Sequence, residues 1–329
     1  MQHAAPKSEM SMRSGSLQGA HVPRGMVHKT ADREVFVAAA EQVAEDRFEV
    51  TARWPDDHLL YRAEAGGVRD SLVVVETFRQ IGIHLSHRYY RVPTDHAFVL
   101  HGFEFELAEP LADRGSPVVF DTSVRRAGTN PRRFRLSART VIRVGGREVG
   151  CAEMSWDALS PTQYGVVRSR GPVLKGGEET GDVLEALPAA SVGRREESAS
   201  VLATGPTQQA DSWLLRMDTS HPALFDHASD HVPGMVLAEA FRQAVHVSSR
   251  QNAEPKEPLE PLDLRAMNMS FDAFGELGHL VVITIAADAD SGEFLATARQ
   301  YDRVLATARL AVPRSTVPLQ RNRRAGAAC

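Results

Sequence analysis

Two stretches of this chain place an acid and a base where chemistry could use them. In Met235-Val-Leu-Ala-Glu239-Ala-Phe-Arg242-Gln243 a carboxylate and a guanidinium stand three residues apart, and Leu72-Val-Val-Val-Glu76-Thr-Phe-Arg79-Gln80 repeats the arrangement. That spacing puts both charges on one face of a helix. The remaining positions are apolar on nearly every side, so each stretch reads as a helix enclosed all round. Charge is rarely buried unless it is paired or used. Desolvation would raise the carboxylate pKa and the guanidinium would lower it, which makes the acid a candidate general base or acid. The guanidinium fork is a bidentate ligand for phosphate or carboxylate.

The second copy has more around it. Pro233-Gly234 opens the helix, and the free amides of a first turn, aided by the helix dipole, can cradle a carbonyl oxygen or an anion. Gly234 lets a substrate approach the backbone. His221, His227 and His231 precede it as candidate partners of Glu239, with His227 preferred over His231. His58 and His221 are open to a structural hydrogen bond or a substrate contact. His84, His87 and His246 have no acidic neighbour at ligand spacing, so no metal is expected. Trp54, Trp156 and Trp213 read as core or interface. The first copy has Asp70-Ser71 where the second has Pro233-Gly234, so the two sites are expected to be unequal, the second being the better catalyst.

The elements that position these residues also occur twice. Residues 56–80 align with 219–243 at a constant offset of 163, with seven of twenty-five positions identical, His58/His221 and Gln80/Gln243 among them. Chance would give about one or two matches, so a duplication is inferred. Two such domains would pack as a pseudo-dimer. Residues 32–46 carry a short helical pattern, and 48–54 alternates like a strand. The first long helix runs to about Arg88 and is followed only by strands, at 97–107, 118–126, 134–144 and 148–156, with Gly145-Gly146 as a tight hairpin turn. In the second half Trp213–Met217 is a strand, the helix runs to about Ser249, and strands follow near 265–274, 279–287, 293–301 and 304–312. The expected fold is α+β, a double hotdog in which each repeat wraps an antiparallel sheet around one long central helix. Its divisions are a disordered tail 1–26, repeat one 27–165, a linker 166–198, repeat two 199–315 and a basic tail 316–329.

Composition narrows the function classes. A chain of 329 residues, 43% hydrophobic, can bury two cores. A net charge of −4 gives no general case for nucleic acid or a membrane surface. Two cysteines, Cys151 and Cys329, are too few for a metal cluster or a disulfide framework. No apolar run reaches membrane-span length and no signal-peptide core opens the chain, so a cytoplasmic location is the default. The Arg132-Arg133 and Arg323-Arg324 runs read as solvated faces or as contacts for an acidic partner.

Two resemblances follow. Pro233-Gly234 and Glu239 resemble the motif of hotdog 3-hydroxyacyl-carrier-protein dehydratases, although Phe225 stands at the catalytic-histidine position and His227 reaches it only with a two-residue shift. The closer resemblance is to the A-factor synthase family of γ-butyrolactone biosynthesis. It is carried by Val27-His28-Lys29, Asp70 to Gln80, His87 to Pro93, Val192-Gly-Arg194, Asp218 to His221, Phe225-Asp-His227 and Asp230 to Gln243. That resemblance implies an acyltransferase that joins a β-ketoacyl chain from acyl carrier protein to the hydroxyl of dihydroxyacetone phosphate, without cofactor or metal. The product is a phosphorylated β-ketoester, the precursor of a signalling lactone. Glu239 would be the base, the amides at Gly234 the oxyanion donors and Arg242 the phosphate ligand, with Glu76 and Arg79 contributing from the other repeat, and His227 and His221 close by. Two alternatives stay open: a dehydratase or thioesterase on carrier-bound chains, and a non-catalytic acyl-binding module.

Overall fold

The computed structural model describes residues 22–62, 67–113, 115–128, 134–171, 184–204, 211–251, 263–288 and 291–313. Most of the two tails and both double-arginine runs lie outside them. The first half runs β1 (Val37–Ala44), β2 (Arg47–Ala52), α1 (Leu72–Arg88), β3 (Ala97–Leu107), β4 (Val118–Ala127), β5 (Phe134–Val144), β6 (Arg147–Leu159) and a short α2 (Pro161–Ser169). The second runs β7 (Leu202–Ala203), β8 (Ser212–Leu215), α3 (Gly234–Gln251), β9 (Ala266–Phe271), β10 (Val282–Ala287), β11 (Phe294–Gln300) and β12 (Arg303–Ala311).

The strands form one sheet in the order β1-β2-β4-β5-β6-β3-β9-β12-β11-β10-β8-β7. Read inward from either edge, the two halves have the same order, so the sheet is a pseudo-two-fold dimer joined at β3 and β9. The register there is self-complementary. Glu104 pairs with Asn268 and Phe105 with Met267, and at the 163-residue offset Asn268 is the counterpart of Phe105 and Met267 that of Glu104. The double hotdog expected from the duplication is therefore observed.

Each long helix lies in the curve of its half-sheet. Every α1 side chain from Leu72 to His87 except Arg79 is buried. Polar anchors fix its rotation: Trp54 Nε1 donates to Thr77 Oγ1 at 2.8 Å and Trp156 Nε1 to Ser86 Oγ at 3.2 Å. Gly145 and Gly146, at φ 57° and 83°, make the hairpin turn their sequence predicts.

Three expectations change. Residues 32–46 are not helical: after a 3-10 turn at Asp32–Glu34 the chain enters β1, which pairs with β2 across a turn where Asp46 takes φ 53°. The alanines there favour a helix, but β2 offers an edge that satisfies the backbone of β1, and tertiary pairing outweighs propensity. Residues 24–26, read as tail, form a 3-10 turn with Val27, the first residue of repeat one, which is fully buried. α2 begins on a Ser160/Gln163 capping box at the end of repeat one and runs into the stretch read as linker, where a 3-10 turn at Ala189–Val192 belongs to the second repeat.

The seam generates a stability prediction. A Cβ on Gly102 would lie 2.6 Å from the Met269 carbonyl oxygen across the β3–β9 pair. Gly102→Ala should cost about 1–3 kcal/mol, seen as a lower Tm in thermal denaturation. An unchanged Tm would show that the seam is looser than its geometry.

Candidate active site: two carboxylate clusters across the repeats

Glu76 and Glu239 sit at corresponding places on α1 and α3, each nearly inaccessible. Each receives three kinds of donor. Arg79 grips Glu76 with Nε and Nη2, both at 2.9 Å, Gln80 Nε2 donates at 2.9 Å, and Lys29 Nζ lies 3.1 Å away. Arg242 meets Glu239 at 3.2 and 3.1 Å, Gln243 donates to it, and Arg194 holds it with Nε at 2.8 Å and with Nη2. Burial alone would push both carboxylates up. The Arg79–Lys29 pair and the Arg194–Arg242 pair instead hold them well below the usual carboxylate range.

The third donor of each cluster was not foreseen. Lys29 and Arg194 each follow a residue in the left-handed region, His28 at φ 54° and Gly193 at φ 68°, which closes a 3-10 turn and turns the next side chain inward. The glutamines lock these segments in place. Gln80 binds the Phe36 amide and Glu34 carbonyl at 2.8 and 2.7 Å, and Gln243 binds the Val201 amide and Ala199 carbonyl at 3.0 and 2.7 Å. The counterparts here are 165 residues apart, two more than in the helices, and an ungapped comparison misses them. The available signal was the shared pattern of valine, one residue, then a cation in Val27-His28-Lys29 and Val192-Gly193-Arg194.

The sequence groups Glu239, Arg242, Gly234 and His227 along the chain, but the structure sorts them across the repeats. His227 is exposed and stands in the fields of Arg79, Lys29 and Glu76 of repeat one. Partial desolvation, then Arg79 and Lys29, lower its pKa. Its neighbour Asp226 fastens the loop by accepting the amides of Thr30 and Ala31 at 2.8 and 3.3 Å. Conversely, Asp70, just before α1, reaches repeat two: its Oδ2 lies 2.8 Å from Arg194 Nη1 and 3.6 Å from Arg242 Nε. Tyr61 is buried between the clusters; burial, then Glu76, Asp70 and Glu239, raise its pKa.

The other histidines have definite places. His58 and His221 are equivalent caps, each accepting two backbone amides at Nδ1: Leu60 and Tyr61 at 3.1 Å for His58, Ala223 and Leu224 at 3.2 and 3.0 Å for His221. The Nε2–H of His58 meets Glu34 at 3.1 Å, while His221 Nε2 is buried with no hydrogen-bond partner among the described residues. His231 belongs to a separate clamp, with Asp230 at 2.7 Å, which Tyr164 and Arg168 of α2 also bind. His28 donates to or accepts from His87 at 2.9 Å, and burial, His87 and Arg79 push its pKa down to about 4. Among the described residues no His, Cys, Asp and Glu group has the form of a metal site.

The two clusters differ in access. The difference lies in Arg79, whose side chain is 21% exposed, whereas Lys29, Arg194 and Arg242 are 5%, 7% and 4% exposed. Beside Arg79 is a cavity of about 40 Å³ lined by Ile83, Phe98, Leu100, Met154 and Trp156. At the position of Ile83, repeat two has His246, whose ring lies against Gly193 and is fully enclosed. A larger groove of about 470 Å³ on the sheet, beside Arg47, Asp121 and Arg143, shares no residue with either cluster.

Buried ion clusters of this kind are costly to break. Arg194→Met strands Asp70 and Glu239 with one guanidinium and should destabilise by about 3–5 kcal/mol, against less for Arg79→Met at the open cluster. Denaturant unfolding of the two variants measures the difference. Both glutamates have depressed folded pKa values, so their contribution is full above the unfolded carboxylate value of about 4.3 and is lost as pH falls through the folded values. Unfolding curves from pH 7 to 3 should show the onset of that loss below about pH 4.3 in the wild type and a smaller one in Glu239→Gln.

Comparison with known proteins agrees with this architecture. The model of the family described as the A-factor biosynthesis hotdog domain matches residues 15–160 and 178–313. A 2-oxo-3-(phosphooxy)propyl 3-oxoalkanoate synthase of Streptomyces virginiae is 34% identical over 78% of this chain and 84% of its own. One of the same name from Streptomyces coelicolor is 33% identical over 68% and 71%. Among solved structures, an acyl-ACP thioesterase from Bacteroides thetaiotaomicron aligns with TM-score 0.47 and 14% identity over 82% of this chain and 98% of that one. Two family matches that together span most of the sequence, one on each carboxylate-bearing repeat, establish that the chain belongs to the A-factor biosynthesis hotdog family.

Proposed function

We propose that this chain is an acyltransferase of the 2-oxo-3-(phosphooxy)propyl 3-oxoalkanoate synthase type. It takes a β-ketoacyl thioester from acyl carrier protein and esterifies the hydroxyl of dihydroxyacetone phosphate. The names of its relatives supply the product. The observation that supports the reading on this chain is the Glu76 cluster, where one carboxylate stands with two cations, beside a histidine and an apolar cavity.

In this reading the roles that the sequence favours for Glu239 and Arg242 move to the first repeat's cluster. Arg242 directs Nε and Nη2 to Glu239 and the Val192 carbonyl, is 4% exposed, and already has a second carboxylate, Asp70, 3.6 Å from Nε. Arg79 and Lys29 hold the phosphate, and Glu76 fixes the two cations in place rather than acting as base, since a carboxylate so strongly stabilised is a weak proton acceptor. Neutral His227 takes the hydroxyl proton as the oxygen attacks the thioester carbonyl. The amides that open α3 at Gly234 receive the oxyanion. Collapse of the tetrahedral intermediate breaks the C–S bond, and the imidazolium returns its proton to the departing thiolate. The acyl chain starts in the cavity between α1, β3 and β6.

The assay is incubation of the purified protein with a β-ketoacyl carrier protein and dihydroxyacetone phosphate, followed by mass spectrometry. The phosphorylated β-ketoester is the expected product. Free β-keto acid formed equally well without dihydroxyacetone phosphate would make the chain a thioesterase instead. His227→Ala should lower kcat by about 10²-fold or more with little change in KM for the phosphate substrate, and Arg79→Met should chiefly raise that KM. Because His227 has a lowered pKa and must be neutral to act, the acid limb of kcat/KM should fall below the ordinary histidine value of about 6.5.

A further inference from the structure

We propose that Asp70 is a built-in anion that fills, in repeat two, the position the substrate phosphate takes in repeat one, so that the chain has one working site and one permanently occupied by itself. The inference rests on the reading of Lys29 and Arg79 as phosphate ligands and extends it to the other cluster.

The pseudo-two-fold makes the comparison position by position. Glu239, Arg242 and Gln243 of α3 match Glu76, Arg79 and Gln80 of α1, and Arg194 matches Lys29 through the turn that each follows. Into the second cluster comes Asp70, two residues before α1. The two-fold counterpart of Asp70 is Pro233, which has neither a charge nor a side-chain acceptor. One cluster therefore holds two carboxylates against two guanidiniums. The other holds one carboxylate against a guanidinium and an ammonium. Asp226 is near enough to be felt by Arg79, but its carboxylate is engaged with Thr30 and Ala31.

The start of α1 is filled in the same way. Asp70 Oδ1 accepts the Leu72 amide at 2.9 Å and Asp263 Oδ1 the Ser71 amide at 3.0 Å, so two carboxylates of the chain occupy the electropositive end of that helix. Crowding there is evident in Asp263, which burial and the nearby Asp70 push up to about 7. Side-chain choice matches the two states. Arg194 bridges Glu239, Asp70 and the Leu60 carbonyl with its fork, which a lysine could not do. Lys29 has Glu76 as its ion-pair partner among the described residues and brings a point charge without a fork.

The test counts anion sites on the full chain by calorimetric titration with glycerol 3-phosphate, in the absence of any acyl donor. Wild type should bind one equivalent, Asp70→Asn two, Lys29→Met none, and the Asp70→Asn/Lys29→Met double variant one. Because Asp70→Asn exposes two guanidiniums to each other, its Tm is read as well, and inorganic phosphate should raise it more than it raises that of the wild type. Two equivalents in the wild type, or an Asp70→Asn chain that gains no site and no extra phosphate stabilisation, overturns the proposal. A gain from none to one between wild type and Asp70→Asn upholds the role of Asp70 while removing the phosphate subsite at Lys29 and Arg79, so the two readings fail separately.

Discussion

The structure depends on keeping a charged carboxylate at the middle of a helix that the sheet surrounds. An ionised acid in that environment is tolerated only if cations and donors replace its water. The helix itself can supply a guanidinium three residues on and an amide four residues on, and in both repeats it does. These leave the carboxylate open on the side away from the helix axis, and the chain closes that side with a cation from the segment before the sheet, Lys29 or Arg194. The same glutamine that donates to the carboxylate also pairs with the incoming segment's backbone. The N-terminal segment of each repeat is therefore part of the ion cluster rather than an appendage, and its position is fixed by electrostatics as much as by packing.

Once that constraint is met twice, small changes decide what each copy can do. Lysine in place of arginine leaves a point charge where a fork would have bridged two partners. Isoleucine in place of histidine leaves an apolar wall beside Arg79, while His246 occupies the corresponding space in repeat two with neither ring nitrogen hydrogen-bonded among the described residues. Proline in place of aspartate leaves the cations of repeat one without a second carboxylate. Together these differences leave a partly exposed guanidinium, Arg79, and an apolar cavity at the first cluster, against enclosed guanidiniums at the second.

Much of this was legible in the sequence. The two helices, nearly every long strand and the duplication follow from apolar periodicity and from an offset that needs no gap. The Glu–Arg–Gln faces identify both clusters. What the sequence does not reveal is how they are completed. Lys29 and Arg194 lie some forty-five residues before their glutamates, and the two-residue change in offset hides their equivalence. Reading along the chain joins His227 to Glu239, twelve residues away, whereas the fold carries its loop over to Lys29 and Arg79. The strand at 37–44 was missed for a similar reason: its alanines and glutamates have helical preferences, and only the waiting edge of β2 makes them extended. In each case the missing information is a contact between distant segments.

The crossing of residues between repeats also bears on why both are held in one chain. Each cluster takes its helix and inward cation from one repeat and its facing loop from the other, so a single repeat could not complete either. Two separate copies of one repeat could, but with identical sequences the residue before each helix would be the same on both sides. An aspartate there would close both clusters, and a proline would leave both open, with two unmatched pairs of cations near the middle of the molecule. Joining the repeats lets the two positions differ. Asp70 then binds Arg194 and Arg242 and secures the seam from one side, while Pro233 brings no carboxylate to the other. Fusion thereby lets one ion cluster differ from the other in its carboxylates, which the two clusters of a symmetric dimer cannot do.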